Sequence, residues 1–106
     1  MSILVIAVNP TGTAEAQQKV AVRLRAGQTP PAGLIFQVAS PADPGYQVIS
    51  VWDSLESFTR FRDERLNPAL DAEGVPPEHL TTTTFEAASY LAGDQASAQW
   101  PAAAGT

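Results

Sequence analysis

Two arginines fall on the apolar face of the predicted second helix, and they are the first candidates for chemistry. At about 100° per residue, Arg62 and Arg65 share that face with four apolar side chains: Leu55, Phe58, Phe61 and Leu66. An unpaired guanidinium in such a face is very unfavourable, so each arginine needs a partner. In a cavity, that partner would be an anionic group or a phenolate of a ligand. The structural alternative is that the side chains reach solvent or pair with a carboxylate across a dimer.

The second predicted strand carries one polar side chain in an apolar run. The Gln37 amide could orient a ligand carbonyl or hydroxyl, or it could bond to neighbouring backbone or another subunit. On the third strand, Trp52 alternates with Ser50 and Val48, so these three share one face of the sheet. Trp52 is then either a platform for a substrate or, as is commoner, part of the core or of a dimer interface.

Two weaker candidates complete the residue-based set. Tyr46 begins the third strand and could donate a phenolic hydrogen bond at a cavity mouth, with packing in the hairpin as the alternative. His79 is the only imidazole, a group suited to acid–base work, but it follows two prolines in a loop where a solvent-facing role is ordinary. One histidine and no cysteine indicate no transition-metal site. No Ser-His-Asp set, phosphate loop or dinucleotide fingerprint is present.

The composition predicts a single globular domain with an acidic surface. The 106 residues are 44% hydrophobic and 16% charged, with a net charge of -5. Such a surface repels phosphate backbones, so we expect no nucleic-acid partner. The first apolar run, residues 3–8, is too short for a signal or a membrane span, so we expect no membrane association and a cytoplasmic location.

Secondary-structure signals alternate along the chain. Runs of β-branched and aromatic residues predict strands at 3–8, 34–39, 46–52 and 80–85. Thr13 and the Asp53-Ser54 pair are cap signals for helices over about 13–25 and from Ser54 to about Leu66. Gly27 is expected to end the first helix, and Asn67-Pro68 the second.

The element order β-α-β-β-α-β predicts an α+β, ferredoxin-like fold with a four-stranded antiparallel sheet. Two helices cover one face of this sheet, yet strands one to three are apolar on both faces. A second copy of the chain is the simplest cover for the other face, which predicts a homodimeric α+β barrel. We place the domain at 1–91 and interpret the Ala-rich segment 92–106, with its lone Trp100, as a tail or arm.

The strand-to-helix corner resembles that of the antibiotic biosynthesis monooxygenase-like group, whose members are dimeric α+β barrels. The resemblance covers roughly residues 2–91, and within this group the chain resembles in particular small uncharacterised actinobacterial-type members. It rests on four segments: 51–54 (Val-Trp-Asp-Ser) followed by Phe58, the charged helix 60–65, 31–36 (Pro-Ala-Gly-Leu-Ile-Phe) and 67–70 (Asn-Pro-Ala-Leu). It is specific for fold and says less about activity, because this fold hosts unrelated functions.

The resemblance implies a small-molecule cavity between helices and sheet. Quinone-forming members oxygenate polycyclic aromatic substrates without metal or flavin, so no cofactor is expected. In haem-degrading relatives, the catalytic tryptophan and histidine match Phe61 and Asp71 here, and Asp71 cannot be an axial nitrogen ligand. Their polar residue at the end of the first strand matches Asn9, which joins the candidate binding residues. Histidines of other relatives match Gln37 and Ala88, so no acid–base pair carries over.

Two functional hypotheses remain from the sequence. The first is a cofactor-independent monooxygenase-like protein acting on a small aromatic or hydrophobic metabolite, with Gln37, Trp52 and Arg62 as leading residues that orient substrate or stabilise an oxyanion. The second is a non-catalytic homodimer that binds a small ligand or serves as a structural module, which the absence of an evident base favours.

Overall fold

The computed structural model describes residues 1–24 and 29–91, and these form the predicted order of elements. The strands are β1 (Ile3–Asn9), β2 (Leu34–Pro41), β3 (Tyr46–Trp52) and β4 (Thr81–Glu86), and the helices are α1 (Ala14–Leu24), α2 (Leu55–Phe61) and α3 (Asn67–Ala72). The expected arm at 92–106 and the expected helix end at Gly27 lie outside the described residues. No helix in the described part is long and apolar enough to cross a membrane.

The four strands form one antiparallel sheet in the order β2-β3-β1-β4. β1 lies inside the sheet and pairs with both β3 and β4, so that Ile3 faces Trp52 on one side and Glu86 on the other. This strand order and the two crossing helical connections confirm the ferredoxin-like α+β fold predicted from the sequence.

Side-chain caps begin both predicted helices. The Thr13 hydroxyl accepts a hydrogen bond from the backbone N–H of Ala16 at 3.1 Å, and the Ser54 hydroxyl accepts one from Ser57 N–H at 3.1 Å. The cap of α2 is therefore Ser54, one of the two residues in the predicted cap signal. The Asp53 backbone N–H instead donates to the Gly33 carbonyl at 2.8 Å, which joins the start of α2 to the turn before β2.

The second helical segment does not end at Asn67-Pro68. A π-helical turn, Arg62–Leu66, follows α2 directly, and α3 continues to Ala72. Asn67 N–H bonds to the carbonyl of Arg62, five residues earlier. Pro68 lies in the first turn of α3, where its missing N–H leaves the helix intact. The three segments α2, the π-helical turn and α3 therefore form one continuous helical stretch that includes the proline.

Trp52 lies at the centre of the core between sheet and helices, and it is fully buried. Its indole meets Phe58 edge-on at 5.7 Å between centroids and Phe61 at 5.2 Å with a tilt of 37°. The same core takes in Val5 from β1 and Val20 from α1. Aromatic pairs in these geometries add to the stabilisation that comes from burial alone.

The other face of the sheet carries no helix. Cross-strand pairing places eight apolar side chains on this surface, called the open face here: Leu4, Ile6, Val8, Phe36, Val38, Ile49, Val51 and Phe85. Val38 is 42% exposed and Phe85 54% exposed. A contiguous apolar surface of this kind on a sheet is typical of an interaction site.

Substituting Gly33 should be more costly than substituting Gly74. Both have positive φ, +89° and +73°, but a Cβ at Gly33 would lie 2.5 Å from Ser57 Cβ and 2.6 Å from Asp53 Oδ1, whereas nothing lies within 4 Å of one at Gly74. We expect Gly33→Ala to lower the free energy of unfolding by about 2–4 kcal/mol. The matched Gly74→Ala change should cost about 1 kcal/mol, from backbone strain alone. Urea denaturation measures both changes in the free energy of unfolding. Equal losses would contradict the close packing described at Gly33.

Candidate functional site

A cavity of about 80 Å³ lies between the sheet and the helices and is partly open to solvent. Its walls are mostly apolar and include Val5, Val20, Trp52, Phe58, Phe61 and Leu70. Seven polar side chains also belong to lining residues: Asn9, Thr13, Gln17, Gln37, Tyr46, Gln47 and Ser50. An apolar pocket with a few polar groups is the usual form of a small-molecule site.

A polar pair on neighbouring strands lines the cavity next to Trp52. Ser50 is 4% exposed, and its Oγ accepts a hydrogen bond from Trp52 Nε1 at 2.8 Å. Gln37 is half-buried and lies directly across the ladder from Ser50. Within the described ranges, the Gln37 amide has no hydrogen-bond partner. Its donors and acceptor are therefore available to a ligand.

A second group of polar side chains lies where β1 ends beside the start of β3. Asn9 and Tyr46 are cross-strand partners there, both half-buried. Asn9 Oδ1 accepts hydrogen bonds from Thr11 N–H at 3.1 Å and Thr11 Oγ1 at 3.0 Å, which stabilises the turn into α1. These bonds use the oxygen of the amide and leave its NH2 group free to donate.

The two arginines lie outside the cavity lining and make structural contacts. Arg65 Nη2 donates to the Leu24 carbonyl, at the last residue of α1, at 2.6 Å, and its guanidinium carbon lies 5.8 Å from the Phe61 ring centroid. A cation at a helix C-terminus satisfies a free carbonyl and interacts favourably with the helix dipole. Arg62 pairs with its neighbour Asp63 at 3.0 Å, and both side chains are about half exposed.

A further ion pair closes the same end of the helical layer. Arg23 Nε and Nη2 both donate to Glu73 Oε2, at 2.8 and 2.7 Å, and so join α1 to the residue that follows α3.

His79 is exposed in the short 3₁₀ turn Pro77–His79 and does not line the cavity, although the adjacent Leu80 does.

The cavity is nearly free of ionisable groups. Among its lining residues in the described part of the chain, Tyr46 carries the one ionisable side chain, and no carboxylate, amine or imidazole is present. The described residues also contain no group of three or more metal-binding side chains. The cavity can therefore bind an apolar ligand and donate hydrogen bonds to it, but it offers no strong general base.

The structure brings together four of the seven candidates that the sequence indicates: Gln37, Trp52, Asn9 and Tyr46 line one cavity. Four polar lining residues were not site candidates from the sequence: Ser50, Gln17, Gln47 and Thr13, the last of which was expected only as a helix cap. Ser50 had a signal, because it shares the sheet face of Trp52 two residues away. Gln17 had none beyond its place one turn into α1.

Comparison with solved structures shows the same fold in several bacterial proteins. The chain is similar to the cofactor-independent oxygenase SnoaB from Streptomyces nogalater, at 21% identity over 85% of this chain and 95% of that one, with a TM-score of 0.57. A provisionally assigned antibiotic biosynthesis monooxygenase from Caulobacter crescentus matches at 19% identity, over 83% and 91% of the chains, with a TM-score of 0.62. A dimeric ferredoxin-like protein of unknown function from Thermobifida fusca matches at 18% identity, over 82% and 92%, with a TM-score of 0.57.

No protein-family model matches the chain, and no curated protein matches it significantly. The structural matches cover most of the chain and confirm its resemblance to the ferredoxin-like fold of the antibiotic biosynthesis monooxygenase-like proteins. At such low identity they establish the fold and leave the activity to be argued from the site.

The contacts of the arginines predict unequal effects on stability. Arg65→Ala removes the bond to the Leu24 carbonyl and should lower the free energy of unfolding by about 1–2 kcal/mol. Arg62→Ala removes an exposed pair and should change it by less than about 0.5 kcal/mol. Urea titrations of the two variants provide the comparison. A larger loss for Arg62→Ala would show that the inward role expected from the helical pattern is right.

Proposed function

We propose that this chain is a homodimeric protein that binds a small aromatic or hydrophobic metabolite in the cavity between helices and sheet, and that it oxygenates this ligand without a cofactor. The observation that carries the proposal is the cavity, which is lined by aromatic side chains and by the Gln37 amide, for which the described residues provide no hydrogen-bond partner. The proposed binding residues are Gln37, Trp52, Asn9 and Tyr46. A cytoplasmic location belongs to the same proposal.

The size of the cavity limits the ligand. Its volume of about 80 Å³ is smaller than the roughly 150 Å³ cavity that holds benzene in an engineered protein core. A flat ring therefore fits only if side chains move or if part of the ligand extends through the open side. This favours a ligand with one ring inserted against Trp52 and Phe61 and its remainder outside.

Oxygenation without a cofactor requires a ligand that reacts with O2 by itself once it has lost a proton. In such a ligand an activated CH2 group becomes a carbonyl, with one atom of O2 in the product and the other in water. The protein then contributes orientation and hydrogen bonds to the oxygen that becomes negative. Gln37 can supply one of these hydrogen bonds.

A second candidate function is binding without chemistry. The lack of a carboxylate, amine or imidazole among the described cavity-lining residues favours it, because nothing strong enough to remove a carbon-bound proton lies against the ligand. If this second function is right, the four proposed binding residues bind the ligand without reaction, and the chain acts as a carrier or sensor.

Anthrone and O2 distinguish the two functions. We expect the purified protein with a metal chelator to raise the rate of anthraquinone formation, followed by oxygen electrode and chromatography. Gln37→Leu should lower that rate at least about tenfold, because it removes a hydrogen bond to the developing anion. Gln18→Leu, an equivalent change at an exposed position of α1, serves as the control.

The outcome of this assay separates three cases. Saturable binding of anthrone without any rate increase would support the non-catalytic function. A rate increase that Gln37→Leu leaves unchanged would remove Gln37 from the proposal. Neither binding nor turnover would contradict both functions.

The open face supports the proposed homodimer. Sheets pack face to face at about 10 Å, with side chains interdigitating, and a second copy brings an equally apolar surface. A similar protein from Thermobifida fusca is described as dimeric. The cavity lies on the other side of the sheet, so dimerisation leaves it accessible.

Introducing a charge on the open face should break the dimer. Val38 is 42% exposed within one chain, so Val38→Asp leaves the fold intact while placing a carboxylate in the proposed interface. Light scattering after size-exclusion chromatography should give a dimer for the wild type and a monomer for the variant. Gln18→Asp adds the same charge to the helical layer and should stay dimeric. A monomeric wild type at micromolar concentration would rule out the assembly.

A further inference from the structure

Ser50 is the one buried polar residue of the described chain, at 4% exposed, and it lines the cavity next to Trp52. Buried hydroxyl groups are normally paired, so the direction of each of its hydrogen bonds is informative.

The bond from Trp52 determines which way the Ser50 hydroxyl can act. An indole N–H only donates, so at 2.8 Å it occupies a lone pair of Ser50 Oγ. The proton of the hydroxyl must then point elsewhere. Among the described residues, the Ser50 hydroxyl donates no hydrogen bond to a protein acceptor. Ser50 is thus a donor held in place by Trp52 at the wall of the cavity.

We infer that the Ser50 hydroxyl donates to an oxygen of the bound ligand, and that Trp52 is the positioning residue for this bond. The inference rests on the proposed function, since it places a ligand in the same cavity. Gln37 lies across the ladder from Ser50, and paired side chains on one sheet face approach within contact distance. The two donors together select a ligand with a carbonyl, ether or phenolate oxygen at its inserted end.

Two nearly isosteric compounds test this selection: acetophenone, which has a carbonyl oxygen, and α-methylstyrene, which has a CH2 group in its place. Calorimetry should show tighter binding of acetophenone to the wild type. Ser50→Ala should weaken acetophenone binding about tenfold and leave α-methylstyrene almost unchanged, because one hydrogen bond is lost. Ser50→Thr keeps the hydroxyl and should keep the preference.

Trp52 has its own readout. In Trp52→Phe the Ser50 hydroxyl is free to rotate. The ratio of the acetophenone affinity to the α-methylstyrene affinity should therefore fall, even if both affinities change. In ¹⁵N spectra the Trp52 indole N–H resonance should shift in Ser50→Ala, which reports the loss of its acceptor. If the role of Ser50 were only structural, Ser50→Ala would weaken the binding of both compounds equally.

Three results would overturn the inference. Equal affinities in the wild type would show that Ser50 is satisfied by a fixed water molecule, while the cavity remains a ligand site. A preference that survives Ser50→Ala would assign the donor role to another group. Binding of neither compound would remove the proposed cavity function together with this inference. The wild-type comparison decides even if Ser50→Ala fails to fold.

Discussion

The buried indole of Trp52 is the contact on which both layers of the fold depend. It fills the space between β3 and α2, against Phe58 and Phe61, and is fully buried. Loss of such a side chain typically costs about 3–5 kcal/mol, a large part of the stability of a small domain. Its polar end also needs a partner, and Ser50 supplies it from the same strand face. The requirement of the core thus places a hydroxyl at the wall of the cavity.

The cavity exists because the elements around it carry small side chains toward each other. Ala7 on β1, Gly12 in the turn and Ala16 on α1 all line it, where larger residues would fill the space. On α1, Ala16 lines the cavity while Val20 and Leu24 are buried in the core. The polar lining residues include Ser50 on β3 and Asn9 at the end of β1.

The two faces of the sheet have different surroundings. Its helix-covered face holds the core and the cavity, and its open face is apolar and partly exposed. Alternation along each strand sets this division, since adjacent side chains point to opposite faces. A partner on the open face therefore lies across the sheet from the cavity and does not block it.

Local sequence determined the elements and their order: β-branched runs gave the strands, Thr13 and Ser54 cap the helices, and the two-sided apolar pattern showed which face lacks cover. It also named four of the cavity residues, because a polar or aromatic residue in an apolar run is visible in a pattern. The tertiary structure alone decided the contacts of the arginines. Arg65 bonds to Leu24, 41 residues away, and Arg23 to Glu73, 50 residues away. The π-helical turn that shifts the helical register before Asn67 is likewise absent from a regular 3.6-residue pattern. The spacing of apolar residues in the sequence indicates which side of its own helix or strand a residue lies on. The contact partner of that residue depends on how distant elements pack.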